Sequence, residues 1–271
     1  MIPTSISPAQ YEAIRSLVHR RAGIALGDSK QALVQARLAK RMRVLDLSDY
    51  DEYLAVLDGA EADEEIVHLL DAISTNFTSF FREEKHFELL TGIVKNAIAS
   101  GATQFRLWCA AAATGEEPYT LSMVIQEAAT GSRLTDIKIL ATDISTRALD
   151  SCVRGAYDRS RLDNVPEPLR RRWWNETSEG YSAKPILRAP LSFARMNLME
   201  VPYPMKGPFD VIFCRNVMIY FDRDGRKRFV TEARRLLRPA GHLFVGSSES
   251  LSGVAEGLRT ETPSVYKKES L

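Results

Sequence analysis

Hydrophobic residues in the first part of the chain recur at helical spacing, without the alternation that is typical of strands. Ser7 and Pro8 form a typical helix start, and apolar residues then follow every three or four positions until Gly23. The pattern predicts further helices from about Asp28 or Ser29 to Leu45, over about Tyr50 to Leu57, and around Ile66 to Ile73. We therefore predict an all-helical N-terminal domain over residues 1–74.

From Phe105 onward, short apolar runs that are typical of buried strands alternate with helical patterns. The stretch FRLWCAAAATGEEPY (105–119) predicts a strand, a tight turn of small residues at Gly115, and a helix with Pro118 in its first turn. Further strands are predicted at 137–143, 191–198, 209–214, 242–245 and 264–267, the last as an edge strand or hairpin, with a helix over about 224–237. This alternation predicts an α/β domain with a mostly parallel, doubly wound, Rossmann-like sheet over residues 85–271.

Residues from about 157 to 190 interrupt the alternation of strands and helices. They contain the run RRRWW (170–174) and a polar stretch after it, which predict a short helix and a small hairpin or meander. We interpret this segment as an inserted β-subdomain, and we expect Trp173 and Trp174 to pack it against its host.

Composition and charge restrict the classes of protein to which the chain can belong. Hydrophobic residues make up 45% of the chain and charged residues 26%, as in soluble globular proteins. The net charge of +1 gives no general attraction to nucleic acid or to an anionic membrane. The chain has no apolar run of transmembrane length and no signal-peptide pattern, and its three cysteines and four histidines lack metal-ligand spacing. We expect a cytoplasmic protein with reduced cysteines, without a bound metal and without insertion into the membrane.

The turn after the first predicted strand indicates what kind of ligand this fold holds. Glu116 and Glu117 stand where a dinucleotide-binding protein receives a pyrophosphate, and their carboxylates would repel it. A ligand that is neutral or cationic at that end and rich in hydroxyls or amines fits better. S-adenosylmethionine has these properties, whereas NAD and ATP fit badly. The alternative is that the two glutamates only interact favourably with the helix dipole.

Small or polar residues stand where the predicted strands end: Gly115, Asp143, Asn197 and Asn216. In a doubly wound sheet, ligands bind at the carboxyl ends of the strands, and an acid after the second strand holds ribose hydroxyls. We therefore expect these residues to converge on one site.

Two further segments are candidates for recognition. Residues 75–84 link the two domains, and their polar side chains could line a cleft; alternatively, they form an ordinary loop in which Arg82 pairs with a surface acid. The predicted second helix carries Lys30, Arg37 and Arg41 on one face, broadened by Lys40 and Arg43. That face is either merely solvated or a docking surface for an acidic protein helix. Nucleic acid is a poorer match because no aromatic residues interleave with the cations.

Four segments, in this order along the chain, resemble the signatures of the CheR family, the chemotaxis receptor protein-glutamate O-methyltransferases. They are TNFTSFFRE (75–83), AAAATGEEPY (110–119), ATDIS (141–145) and FCRNVMIYF (213–221). The resemblance covers nearly the whole chain. It implies a class I S-adenosylmethionine-dependent methyltransferase that esterifies glutamate side chains on the cytoplasmic helical domain of chemoreceptors. It also implies S-adenosylhomocysteine as a product and a monomeric enzyme recruited to receptor arrays at the membrane.

The resemblance also implies roles for individual residues. The cofactor contacts would be Asn76, Thr78, Arg82, Glu116, Asp143, Asn197, Leu198, Arg215 and Asn216. Arg82 and Tyr220 would orient the substrate carboxylate. The receptor-docking surface would be Lys30, Arg37, Lys40 and Arg41.

The insertion departs from relatives that tether to a receptor's C-terminal pentapeptide, which carry a glycine-rich hairpin loop. Residues 176–184 contain only Gly180, so we predict an enzyme that does not need the pentapeptide. Two other functions stay open: methylation of nucleic acid or a small molecule, and a non-catalytic S-adenosylmethionine-binding adaptor. The first is disfavoured because the segment Arg215–Met218 lacks the paired prolines of amino-methylating DNA enzymes.

Overall fold

The computed structural model describes residues 5–60 and 62–269. The predicted ranges 1–74 and 85–271 extend to residues 1–4, 61, 270 and 271, which lie outside the described residues.

The N-terminal part is helical, as predicted. Its helices are α1 (Pro8–Ala22), α2 (Gln31–Val44), α3 (Tyr50–Leu57) and α4 (Ala62–Ile73). Ser7 and Gln10 form a capping box at the start of α1, and Gly23, with φ 65°, ends the helix. The predicted second helix is shorter than expected, because Asp28–Lys30 form a 3₁₀ turn before α2 begins. Apolar side chains from all these helices share one core.

The C-terminal part forms a mixed sheet with the order β6-β2-β1-β7-β8-β10-β9. Its strands are β1 (Gln104–Cys109), β2 (Asp136–Asp143), β6 (Leu191–Arg195), β7 (Phe209–Cys214), β8 (Leu237–Val245), β9 (Leu258–Thr262) and β10 (Val265–Lys268). The pairs among β6, β2, β1, β7 and β8 are parallel, and β10 is antiparallel to both of its neighbours. The doubly wound sheet is thus confirmed. The last predicted strand belongs to a hairpin, with β9 outside it at the edge.

Alternate side chains of the sheet pack against helices on its two faces. These helices are α5 (Lys85–Ala99), α6 (Glu116–Ala129), α7 (Thr146–Arg154) and α10 (Arg223–Leu236). On one face, Leu107 and Phe213 join a core with α5 and α6. On the other, Trp108 and Ile212 pack with Phe229 of α10. Both faces are covered, which leaves the carboxyl ends of the strands as the place for a site.

The insertion forms its own small sheet with the order β3-β5-β4. Its elements are β3 (Ala156–Tyr157), α8 (Glu167–Trp173), β4 (Trp174–Glu176), β5 (Tyr181–Ala183) and α9 (Pro185–Arg188). Trp173 and Trp174 are each 3% exposed and pack with Tyr119 and Met123 of α6. Their predicted packing role is confirmed.

The N-terminal helices lie against the carboxyl ends of the strands. Ala25 N–H donates to the Tyr220 carbonyl at 3.0 Å, and Thr146 Oγ1 donates to Asp71 Oδ2 at 2.6 Å. Ile144, just after β2, packs on the helical core. The two parts therefore enclose the end of the sheet where a ligand is expected.

Along the described residues, we find no helix that combines the length and the apolar character needed to cross a bilayer.

Candidate functional site

A cavity of about 190 Å³ lies between the N-terminal helices and the carboxyl ends of the strands. Its walls include eight of the residues singled out from the sequence: Lys30, Arg37, Asn76, Asp143, Asn197, Leu198, Asn216 and Tyr220. Apolar walls come from Ile144, Met196 and Val217. The structure therefore brings together much of the predicted site.

Asp143, the last residue of β2, is the acid in this cavity. Its Oδ2 accepts from Ala113 N–H at 2.8 Å, and its Oδ1 accepts from Ser145 N–H at 2.9 Å. Burial raises the pKa of the carboxyl, and the backbone hydrogen bonds oppose this effect. A carboxylate has about four acceptor positions, so two backbone partners leave it able to accept from ligand hydroxyls.

The turn of small residues after β1 is held in place by a side chain of the insertion. Gly115 has φ 104°, and a Cβ there would lie 2.3 Å from Tyr157 Oη. That hydroxyl donates to the Thr114 carbonyl at 2.8 Å. Glycine is therefore required both by its backbone conformation and by the close approach of the ring. Sequence reasoning did not identify Tyr157, because its contact with the turn spans 43 residues.

The amide side chains of the cavity also hold its walls. Asn197 Nδ2 donates to the Arg21 carbonyl at 2.5 Å, and its Oδ1 accepts from Met199 N–H at 3.0 Å. Asn76 Nδ2 lies 3.5 Å from Ser145 Oγ. Leu198, 7% exposed, adds an apolar surface beside Asn197. An amide next to apolar side chains is suited to an aromatic base.

Four predicted cofactor contacts do not line this cavity: Thr78, Arg82, Glu116 and Arg215. Thr78 is buried at 9% exposure. Arg82 folds back on the linker, where Nη1 donates to the Phe77 carbonyl at 3.0 Å and the guanidinium lies 5.9 Å from the Phe77 ring centroid. Arg82 thus pairs with a backbone carbonyl rather than with the surface acid considered above.

Glu116 is buried at the start of α6, where its side chain is 1% exposed. Arg161 of the insertion pairs with it at 3.1 Å, and Thr114 Oγ1 donates to it at 2.6 Å. Burial raises the pKa of Glu116. The protein's own carboxylate therefore occupies the helix N-terminus where a phosphate would otherwise bind.

Arg215 follows directly after β7, and its side chain is 1% exposed. It connects the sheet with two other segments, the linker and the start of α6. Its Nη1 lies 2.8 Å from Glu117 Oε2, and its Nη2 lies 3.1 Å from Glu83 Oε2. Nη2 also donates to the Arg82 carbonyl at 2.5 Å. Arg215 therefore fastens the linker to the sheet, a structural connection that the sequence pattern did not indicate.

The predicted docking residues on and before α2 do not share one exposed surface. Arg41 forms a bidentate pair with Glu65, with Nη2–Oε2 at 2.6 Å and Nε–Oε1 at 3.0 Å. Arg37 Nη1 donates to the Ile73 carbonyl at 2.6 Å, at the end of α4. Lys30 and Lys40 are exposed, and Lys30 also lines the cavity. The docking role of these residues stays a prediction.

A larger groove of about 1480 Å³ lies between α5 and the β8–β10 end of the sheet. Glu83 and Glu84 of the linker line it, but none of the individually predicted cofactor, substrate or docking residues does. Within residues 5–60 and 62–269, no cluster of histidine, cysteine, aspartate or glutamate is arranged as a metal site.

The cavity residues fit S-adenosylmethionine better than a nucleotide with phosphates. Asp143 can accept from ribose hydroxyls, and Asn197 with Leu198 offers a polar edge and an apolar face to adenine. The N-terminus of α6 is not available to a diphosphate, because the Glu116 side chain and its partner Arg161 occupy it.

Matches to known proteins cover both parts of the chain. Residues 76–266 match the SAM-binding domain of the CheR methyltransferases, and residues 9–74 match the all-alpha domain of the same family. The chemotaxis protein methyltransferase of Escherichia coli is 37% identical, over 97% of this chain and 91% of that protein. Chemotaxis protein methyltransferase 2 of Pseudomonas aeruginosa is 36% identical, over 94% and 91%. The Borreliella burgdorferi chemotaxis protein methyltransferase is 33% identical, over 97% and 95%.

Proposed function

The chain belongs to the CheR methyltransferase family, and we propose that it transfers a methyl group from S-adenosylmethionine to glutamate carboxylates of chemoreceptors. The products are glutamate methyl esters and S-adenosylhomocysteine. The proposal rests above all on the cavity, where Asp143 and the amide side chains meet Lys30 and Arg37 of the N-terminal helices. A site with a carboxylate on one wall and cations on another suits a cofactor rich in hydroxyls and an acidic acceptor.

The residues of the cavity have separable tasks in this proposal. Asp143 accepts from the ribose hydroxyls, Asn197 and Leu198 flank the adenine, and Asn76 and Asn216 offer hydrogen bonds to polar groups. When bound, S-adenosylmethionine supplies a methyl group activated by a positively charged sulfur. The chain's own contribution is to orient the acceptor and to exclude water, which together can account for roughly 7–11 kcal/mol of the barrier.

The reaction needs no general base. A glutamate side chain has a pKa of about 4.3 in water and is already ionised at neutral pH. Tyr220 gives its carboxylate a neutral hydrogen bond. Arg82 positions it by exchanging the Phe77 carbonyl for the substrate. Too tight an ion pair would stabilise the ground state and slow the transfer, so a positioning role suits Arg82 better than a tight clamp.

The acceptor in this proposal is an acidic helical segment of the receptor's cytoplasmic domain, engaged by the exposed cations on and before α2. The enzyme acts in the cytoplasm, where the receptors recruit it to their arrays. Gly180 is the only glycine between β4 and β5, which supports binding without a C-terminal pentapeptide. The relatives' names connect those proteins, too, with chemotaxis.

The experiment uses the purified chain, methyl-labelled S-adenosylmethionine and membranes that carry a chemoreceptor, intact or lacking its last five residues. We expect label on both receptor forms that is released as volatile methanol in mild base, as a carboxyl methyl ester requires. Label that resists base would contradict glutamate as the target. Binding of S-adenosylhomocysteine without transfer to any receptor of a panel would favour the non-catalytic adaptor instead.

A further inference from the structure

A buried carboxylate from the loop after β8 holds the segment that carries Asn216 and Tyr220. This carboxylate is Glu249, which is 8% exposed and does not line the cavity. Its Oε2 accepts from Asn216 N–H at 2.9 Å, and its Oε1 accepts from Ile219 N–H at 3.2 Å. Glu249 therefore contacts the backbone at or beside both cavity residues.

The held segment is a turn at Asn216 followed by the short 3₁₀ helix Met218–Tyr220, and neither donor has a backbone partner there. Asn216 has φ 59°, in the left-handed region, and follows directly after β7 and Arg215. An N–H group in such a turn needs a partner when it is buried. Glu249 supplies one partner for Asn216, one for Ile219 and a third for Gly246, whose N–H lies 2.5 Å from Oε2.

Gly246 at the end of β8 permits this arrangement. A Cβ on Gly246 would lie 2.5 Å from Asn216 Nδ2, 2.9 Å from Glu249 Oε2 and 3.0 Å from Asn216 N. A side chain at position 246 would therefore displace the Asn216 amide and the Glu249 carboxylate and press on the Asn216 backbone nitrogen. Glu249 and Gly246 act on the same backbone from two directions.

We infer that Glu249 is a positioning residue for methyl transfer, which acts through the backbone of Asn216 and Ile219 to orient Tyr220 at the cavity. This inference rests on the proposed function of Tyr220. A carboxylate suits the task because its two oxygens can accept all three hydrogen bonds at once, each strengthened by the negative charge. Glutamine at this position would replace one oxygen with a donor that faces N–H groups.

The test compares Glu249→Gln with the wild-type chain, and with Glu256→Gln as a control at an exposed acid of the same region. We expect Glu249→Gln to lower kcat by about tenfold, because hydrogen bonds to a charged group are lost, while KM changes little. Glu256→Gln should behave as wild type. An unchanged kcat in Glu249→Gln, with the wild-type enzyme active, would overturn the inference.

A double-mutant cycle separates positioning from general stabilisation. If Glu249 acts through Tyr220, the Glu249→Gln effect on kcat should largely disappear in a Tyr220→Phe background. The same factor in both backgrounds would mean that Glu249 only supports the fold. Gly246→Ala, which disturbs the same contact by steric pressure, should reproduce the kinetic pattern.

Hydrogen exchange gives a readout that does not depend on activity. The amides of Asn216, Ile219 and Gly246 should exchange faster in Glu249→Gln, whereas those of α2 and β1 should not change. If the wild-type chain transfers no methyl group, the proposed function fails, but faster exchange at these three amides would still support the holding role. Unchanged exchange there would refute it. If the glutamine variant does not fold, Glu249→Asp, which keeps the charge, replaces it in the same measurements.

Discussion

The two halves of the predicted cofactor site differ in what their polar side chains touch. In the cavity half, formed by Asp143, Asn197 and Leu198, the side chains line the cavity, and backbone groups provide most hydrogen-bond partners of the two polar ones. In the paired half, formed by Arg82, Glu116 and Arg215, the side chains are engaged within the protein. The residues of both halves were predicted from the same family resemblance, yet they have different surroundings in the structure.

The difference lies in the kind of partner. Asp143 is held by backbone N–H groups, which leave acceptor capacity on its carboxylate for a ligand. Glu116 and Arg215 are held by oppositely charged side chains, and both are about 1% exposed. To exchange such a partner for a ligand would leave a buried charge unpaired, which is costly. The cavity half is therefore preformed for binding, whereas the paired half is chiefly a scaffold. Arg82, held by one carbonyl, is the exception that can move.

The largest effect is expected from a substitution that disrupts the scaffold. Arg215→Met should lower the free energy of unfolding by about 3–5 kcal/mol, because Glu83 and Glu117 would lose their buried cation. Chemical denaturation measures this loss, with Arg223→Met at an exposed position of α10 as the control. Unchanged stability together with weaker binding of S-adenosylhomocysteine would make Arg215 a ligand contact and contradict the comparison.

The scaffold should also show a pH dependence through His86, which lies 3.4 Å from Glu83. Burial, together with the nearby Arg215, lowers the pKa of His86 to about 4, from about 6.5 for a histidine in water. The unfolded chain therefore binds a proton that the folded chain does not, and stability should fall as pH drops from about 6.5 to 4. The loss should reach up to about 3 kcal/mol. His86→Gln should reduce this slope relative to exposed His68→Gln; an equal slope in both variants would refute the assignment.

In the cavity half, Asp143→Asn should weaken binding of S-adenosylhomocysteine by about 100-fold, because two charge-assisted hydrogen bonds to ribose are lost. Calorimetric titration measures the affinity, and Asp150→Asn at an exposed position of α7 is the control. An affinity equal to that of the control would show that Asp143 does not hold the ligand.

Tyr220→Phe should lower kcat by about tenfold, the value of one neutral hydrogen bond at the acceptor. The affinity for S-adenosylhomocysteine should hardly change, since the ring still fills its place in the cavity wall. Steady-state kinetics and titration of the same preparation separate the two effects. An equal loss in both would assign Tyr220 to cofactor binding instead.

The smallest effect is expected from reversing exposed charges of α2, which should weaken docking of the receptor. Arg37→Glu with Arg41→Glu would confound docking with stability, because the Arg41 change sets a second carboxylate beside Glu65. Lys40→Glu with Arg43→Glu changes exposed charges of α2 without breaking an ion pair among the described residues. We expect KM for the receptor to rise several-fold, more at low salt, with binding of S-adenosylhomocysteine unchanged. A KM that matches wild type at low salt would place docking elsewhere.

The sequence allowed the prediction of features that depend on neighbouring residues. Apolar runs followed by polar residues predicted the strands and the position of Asp143 at a strand end, because parallel strands share one carboxyl edge. Strand β9 was missed, since LRTET is mostly exposed and carries a weak pattern. The pairs that define the scaffold join residues far apart: 45 positions for Arg161–Glu116 and 98 for Arg215–Glu117. Nothing in the local sequence pattern indicates such partners, so they could be identified only in the structure.

The most direct test of the central claim compares adenosine with S-adenosylhomocysteine in calorimetric titrations of the wild-type chain and Asp143→Asn. If the cavity half is preformed for binding, adenosine should bind by itself and compete with S-adenosylhomocysteine. The Asp143→Asn change should then weaken both ligands by about the same factor. Tight binding of S-adenosylhomocysteine with no binding of adenosine, and no effect of Asp143→Asn, would contradict the claim and assign the affinity to the paired half.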